Sequence, residues 1–196
     1  MTGETQPGGR RPAPGELALV QAFINSHYDL ELEHGADLFA TPETLTAWLR
    51  RRGLLAAGES VGLGDARRAV TVREALRTVA QANEKQDKGG LETALVALDE
   101  VGGGCEVEVR FGERGPRLVP AGRGSVDRAL AAVLAITARA MIDGRWERLK
   151  VCPGEDCGWA FYDTSRNQSS RWCSMAVCGG RSKARSHYRR HRGAGG

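Results

Sequence analysis

Four cysteines carry the clearest chemistry in this 196-residue chain. They form two pairs, Cys152-Pro-Gly-Glu-Asp-Cys157 and Cys173-Ser-Met-Ala-Val-Cys178, each with four intervening residues and with fifteen residues between the pairs. Zinc takes about four N or S ligands in a tetrahedron with Zn–S near ~2.3 Å, and two short thiolate pairs joined by a hairpin supply that geometry. The thiolate is the binding form, and the metal lowers the thiol pKa enough to generate it. The expectation is one structural Zn2+ held by Cys152, Cys157, Cys173 and Cys178. Iron–sulfur ligation is the competing reading of the same thiols, and a two-Cys, two-His site using His187 and His191 would leave one cysteine pair unexplained. Gly158 and Gly179 each follow the second cysteine of a pair, where glycine lets the backbone turn closely around a ligand. Cys105 stands apart, beside Val107 and Val109, and reads as a buried structural thiol.

Beyond the last cysteine the chain turns basic. After Asp163 there are eight Lys or Arg residues and no acidic one, and residues 145–196 carry +7 against −3 for the first 144. Arg181, Arg185, Tyr188, Arg189 and Arg192 recur at three- and four-residue intervals, which makes one helical face. Arginine offers a bidentate fork for phosphate or guanine. A basic helix on a rigid metal knob is a known physical route to DNA. The candidate nucleic-acid contacts are Arg181, Lys183, Arg185, Arg189 and Arg190, with DNA the first partner expected and RNA the second. The plainer reading is that these arginines neutralise the anionic zinc–thiolate centre, leaving a protein-interaction module with structural zinc. In the N-terminal part, Asn25, His27, Tyr28 and Trp48 are candidates for a small-molecule effector pocket, although polar residues after an apolar helix also serve as caps and turns.

These groups must be positioned by a mainly helical body. Leu17, Val20, Phe23 and Ile24 mark one helical stripe. Thr41-Pro42-Glu43 starts a second helix, with Thr as cap and Pro in the first turn, carrying Leu45, Trp48 and Leu49 inward to Gly53. A longer helix is expected from Asp65 to about Lys88, and a short one from Leu91 to Leu98. Cys105 to Phe111 alternates with period two as a half-buried strand does, and residues 117–119 return as its partner. Ser125 caps a helix through Leu130, Val133, Leu134, Thr137 and Met141. In the cysteine module, residues 159–162 read as a strand, Arg171-Trp172 as its return, and Asp163 and Arg171 as a cross-hairpin pair. Trp146, Trp159, Phe161 and Trp172 are expected to cover the metal.

No apolar run approaches the ~20 residues that span a bilayer. Residues 1–16 lack the apolar core of a secretory signal, so a cytoplasmic protein is expected, in which clustered cysteines bind metal rather than form disulfides. Neither a nucleophile elbow nor a phosphate loop is present, and a zinc with four thiolates has no open position, so an enzyme is not expected.

The segment from Cys152 to Arg181 resembles the CGNR zinc finger, named for its Cys-Gly-Asn-Arg tetrapeptide. Here that tetrapeptide reads Cys178-Gly179-Gly180-Arg181, with Gly180 in place of Asn. The region before it resembles the ABATE domain, through Phe23-Ile24-Asn25, the Thr-Pro to Trp48-Leu49 helix, Gly53-Leu54, Arg73-Glu74-Ala75-Leu76 and Asp143 to Leu149. The resemblance implies a DNA-binding role in a family regarded as stress-induced bacterial transcription regulators. The expected fold is mainly α: a helical N-terminal domain with one β-hairpin, followed by a small treble-clef-like zinc finger. The expected divisions are a disordered leader (1–15), an ABATE-like domain (16–145), the finger with its basic helix (146–192) and a disordered tail (193–196).

Overall fold

Helix α1 (Leu17–Asn25) lies at the centre, because it presents apolar residues on most of its surface: Leu17, Val20, Phe23 and Ile24 are fully buried. The computed structural model describes residues 6–27, 35–84, 89–113, 115–122, 125–155 and 157–185. Against α1 pack α3 (Leu63–Gln81) and α5 (Ser125–Ile142); α2 (Pro42–Arg51) lies on α1 and α3, and α4 (Leu91–Gly102) packs on α3. Thr41 caps α2 as its sequence requires, its side chain accepting from the Thr44 amide at 3.3 Å. Asp65 reaches back to the Gly62 amide at 2.9 Å and starts α3 two residues earlier than expected. That helix ends at Gln81, short of the expected Lys88, which lies outside the described residues. Phe23, Phe39 and Trp48 meet edge to face, with ring centroids 5.0 to 5.7 Å apart, and anchor the core.

The strands β1 (Val107–Gly112) and β2 (Gly115–Pro120) form an antiparallel hairpin with Val109 opposite Leu118. The expectation of a half-buried β1 is corrected: all its residues are exposed, Phe111 at 84%. Its alternation is real, but the apolar face has no covering element among the described residues. Cys105 lies just before β1, half-buried against the main core, and burial pushes its thiol pKa up.

A second small sheet joins β3 (Leu149–Val151) to β4 (Ala160–Tyr162), antiparallel, with Lys150 opposite Phe161. Residues 171–172, expected to return as a strand, form none. The partner of 160–162 comes from before the first cysteine instead. Leu149, Val151, Ala160, Tyr162 and the preceding Trp146 are buried in the same core as α1 and α3. The main core therefore crosses the division expected at 145/146.

Residues 6–15 correct the expected disordered leader over its described part. Gln6 is buried, and its Oε1 accepts from Gln21 Nε2 at 2.9 Å and Trp159 Nε1 at 3.2 Å. Arg10 donates to the carbonyls of Trp172 (2.9 Å) and Cys173 (2.8 Å) and lies over the Phe161 ring. Residues 1–5 and the expected tail 193–196 lie outside the described residues.

Candidate metal centre

Cys152 follows β3 and Cys157 precedes β4, so the short sheet carries the first pair on its connecting loop. Two glycines make that loop possible. A Cβ on Gly154 would come within 3.1 Å of Cys157 Cβ and 3.3 Å of Cys178 Sγ, and Gly158 adopts φ +57, the left-handed region. The second pair is set by a π-helical turn, Met175–Gly179, capped by Ser174, whose carbonyl accepts from the amides of both Cys178 and Gly179. The wider turn brings Cys178 back to Cys173 across four residues. Gly179 does not have a left-handed backbone. Its constraint is packing, since a Cβ there would lie 2.9 Å from Met175 Sδ.

The four Sγ atoms all lie within 4.8 Å of one another, with Cys157–Cys173 at 3.6 Å and Cys173–Cys178 at 3.7 Å. A tetrahedron with Zn–S near ~2.3 Å has edges of about 3.8 Å, so the sulfurs already match it. Thiols this close cannot ionise independently. Hydrogen bonds from Cys157 and Cys173 lower Cys152 to about 2, and the same contacts push Cys157 up to about 12 and Cys173 upward too. A dication removes this conflict by stabilising every thiolate at once. The donor set fits one zinc held by Cys152, Cys157, Cys173 and Cys178 and acting as a structural cross-link. Trp159, Phe161 and Trp172 surround the cysteines as expected, whereas Trp146 belongs to the main core.

Beyond the sulfurs, the loop from β4 to Trp172 is held by a buried ion pair. Lys150 Nζ donates to Asp163 Oδ2 at 3.0 Å and to the carbonyls of Gln168 and Ser170. Asp163, fully buried, accepts from the amides of Ser165 and Ser170 at 2.9 Å each. Burial pushes its carboxyl up, but the bonds from Ser165, Lys150 and Ser170 outweigh that and hold it well below the ordinary carboxylate range. The expected Asp163–Arg171 pair is therefore corrected: Asp163 is taken by Lys150, and Arg171 lies over the Trp172 ring.

The body grips the metal loop through Arg77 and Gln21, which the sequence does not single out, and through Asn25, which reads there as a pocket candidate. Arg77 donates to the Gly158 carbonyl beside Cys157, to the Ile24 carbonyl at 2.6 Å and to Glu74. Asn25 brackets β4, accepting from the Ala160 amide at 2.8 Å and donating to its carbonyl at 2.9 Å, with Gln21 adding a bond at 3.1 Å. Only the i, i+4 placement of these two amides on an otherwise apolar helix hinted at a shared target.

Among the described residues, three of the candidate pocket residues lie in separate surroundings. Asn25 is committed to Ala160 and Trp48 to the aromatic core. His27 lies near Asp37 and Glu74, where the buried Arg73 bonds both carboxylates. Tyr28 lies outside the described residues. Of the candidate nucleic-acid residues, Arg181, Lys183 and Arg185 are exposed on helical residues 180–185, and Arg185 pairs with Glu155 at 2.5 Å. Arg189 and Arg190, with His187 and His191, lie outside the described residues. Gly180 has ordinary helical angles, so nothing in its backbone demands glycine. Among the described residues no helix is long and apolar enough to cross a membrane.

Residues 148–191 match the CGNR zinc finger family. Residues 17–144 match the ABATE family, described as "Putative stress-induced transcription regulator". No curated protein matches the chain.

Proposed function

We infer, for a chain that belongs to the ABATE family and carries a CGNR zinc finger, a zinc-dependent DNA-binding regulator of transcription with its helical body as the sensing part. The observation that carries this is the basic helix leaving the metal centre. Residues 180–185 continue directly from the turn that holds Cys178, and they expose Arg181, Lys183 and Arg185. A cation fixed three to seven residues from the ligand Cys178 is presented on a rigid base, which favours a phosphate or base-edge contact. Zinc here shapes the surface and does no chemistry, because four thiolates fill its coordination sphere.

The test is a labelled-duplex shift with the zinc-loaded full chain, in competition with structured RNA. If about half of the eight basic residues after Asp163 neutralise phosphates, log K falls with log salt at a slope of roughly −3 to −5. Arg181→Ala weakens binding while zinc content stays intact. A structured RNA that outcompetes duplex favours the RNA reading. An unchanged affinity and slope in Arg181→Ala rejects the helix as the contact. A second reading, a protein-interaction module, is favoured by the β1–β2 face, where Val107, Val109, Phe111 and Leu118 are all exposed.

A further inference from the structure

We propose that the outer edge of β1 is a self-association site, which pairs antiparallel with β1 of a second copy of this chain about a two-fold axis at Val109. The two edges of the hairpin differ. The Ala121 amide donates to the Glu106 carbonyl at 2.8 Å, in the same register that sets Glu108 opposite Val119 and Arg110 opposite Arg117. Backbone groups alternate in direction along a strand, so Glu106, Glu108, Arg110 and Gly112 turn theirs toward β2. Those of Val107, Val109 and Phe111 point away from it, and so do those of their partners Pro120, Leu118 and Pro116 on the far side of β2. The β2 edge is blocked. Pro116 and Pro120 have no N–H to offer, and the Pro116 carbonyl accepts from Arg139 of α5 at 3.2 Å. The β1 edge holds no proline and keeps its outward N–H and C=O groups. Among the described residues no strand lies beside it there. An open edge of this kind is a template for another strand.

The residues of β1 select both the partner and the register. Outward groups bond only to outward groups, so Val107, Val109 and Phe111 must oppose one another. Centred on Val109, the pairing sets Val107 against Phe111 of the second copy, Val109 against Val109, and Phe111 against Val107, each pair exchanging two backbone hydrogen bonds. At the positions between, Glu108 of each copy faces Arg110 of the other. Both side chains are exposed, and within one chain they already pair at 2.9 Å, so they can turn to the same groups across the axis. A slide by one step in either direction puts Glu108 opposite Glu108 or Arg110 opposite Arg110, and like charges directly opposite are destabilising. The apolar side chains of Val107, Val109 and Phe111, all exposed in the single chain, share one face, and each gains an apolar neighbour across the new ladder.

The assembly closes on itself. The four-stranded sheet has β2 at both ends, and its proline-blocked edges accept no further copy, so growth stops at two chains. A pair of six-residue strands is a small interface, below the ~1,200 Å2 of standard ones, which places the Kd in the micromolar range, about 1–100 µM.

The experiment is sedimentation velocity of the zinc-loaded full chain, without nucleic acid, at concentrations up to about 500 µM. The mass rises from one chain to two and stops there. Val109→Pro removes the N–H at the axis, a group β2 does not use, and abolishes the dimer while zinc content and circular dichroism stay as in the wild type. Glu108→Arg and Arg110→Glu each set like charges opposite one another at two places and weaken association ~5-fold or more. Glu108→Arg combined with Arg110→Glu restores unlike pairs and returns the affinity to within ~3-fold of the wild type. The charge variants alter exposed side chains alone, so they keep the test decisive should Val109→Pro disturb the hairpin. A chain still monomeric at about 500 µM leaves this edge to another occupant and overturns the proposal. Growth past the dimer, a dimer that survives Val109→Pro, or a double variant no tighter than the single ones overturns it too. Its failure leaves the DNA reading untouched, because the measurement uses no nucleic acid.

Discussion

The helical body and the finger solve the same stability problem with different materials. The body buries Leu17, Phe23, Trp48, Val72, Leu76, Leu130 and their neighbours in one apolar core. The finger's own cluster is Cys152, Trp159, Phe161, Cys173 and Cys178. So few side chains cannot offset the entropy of ordering some forty residues, and the metal cross-link together with the Lys150–Asp163 network must supply the rest. The two regions are nonetheless not independent. The β3–β4 sheet sits in the body's core, and Arg77, Asn25, Gln21, Gln6 and Arg10 fasten the body and N-terminal segment to the finger. A small metal module becomes rigid here by leaning on a large apolar one.

The contrast is broken most strongly at the metal. Cys173→Ser removes a ligand from a centre whose zinc contributes an apparent ~10–16 kcal/mol in small modules. Metal analysis is expected to show zinc lost and near-ultraviolet circular dichroism the finger's aromatic signal collapsing, with most helical signal retained. Cys105→Ser leaves the metal content unchanged. Full zinc in Cys173→Ser means that another residue supplies the fourth ligand.

Next comes the finger's buried charge. Lys150→Met strands Asp163 without its cation and costs about 3–5 kcal/mol in a denaturant melt. Acid has a related effect. The folded Asp163 carboxyl lies below its unfolded value, so its contribution is complete above the ordinary carboxylate range and is lost as pH falls through the folded value. In Asp163→Asn the drop in stability below about pH 4 is therefore shallower than in the wild type. Parallel acid profiles show that the carboxylate is not ionised in the fold.

In the body, Leu76→Ala opens a cavity worth about 2–5 kcal/mol, while zinc stoichiometry stays at one. Loss of zinc in that variant would show that the two cores are a single cooperative unit. The smallest effect falls on the fastening between them. Asn25→Ala leaves the Ala160 amide and carbonyl short of partners on that edge and costs about 1–3 kcal/mol. Hydrogen exchange at β4 is expected to quicken more than at α5, and equal acceleration would make Asn25 a general core residue instead of a clasp.

Much of this architecture is legible in the sequence where the deciding interactions are short-range. The cysteine pairs announce the metal because each ligand pair closes within a few residues. Thr41-Pro42 announces α2 because a cap satisfies amides only three positions away. The apolar stripes of α1, α3 and α5 fix which faces turn inward. Only the tertiary structure decided the rest. Three-residue strands carry too little pattern to choose a partner, so packing against α1 and α3 selected β3 for β4 over residues 171–172. Gln21 and Arg77 read as ordinary polar helix residues and Asn25 as a pocket candidate, because their targets are backbone groups of β4 and Gly158, far away in sequence. Residues 6–15 look unstructured by composition, yet Gln6 bridges Gln21 of the body to Trp159, and Arg10 takes carbonyls of Trp172 and Cys173 that are in place only once the finger has folded. The alternation of β1 marks its apolar face but not what covers it, since periodicity records which side a residue faces and burial depends on what else arrives there.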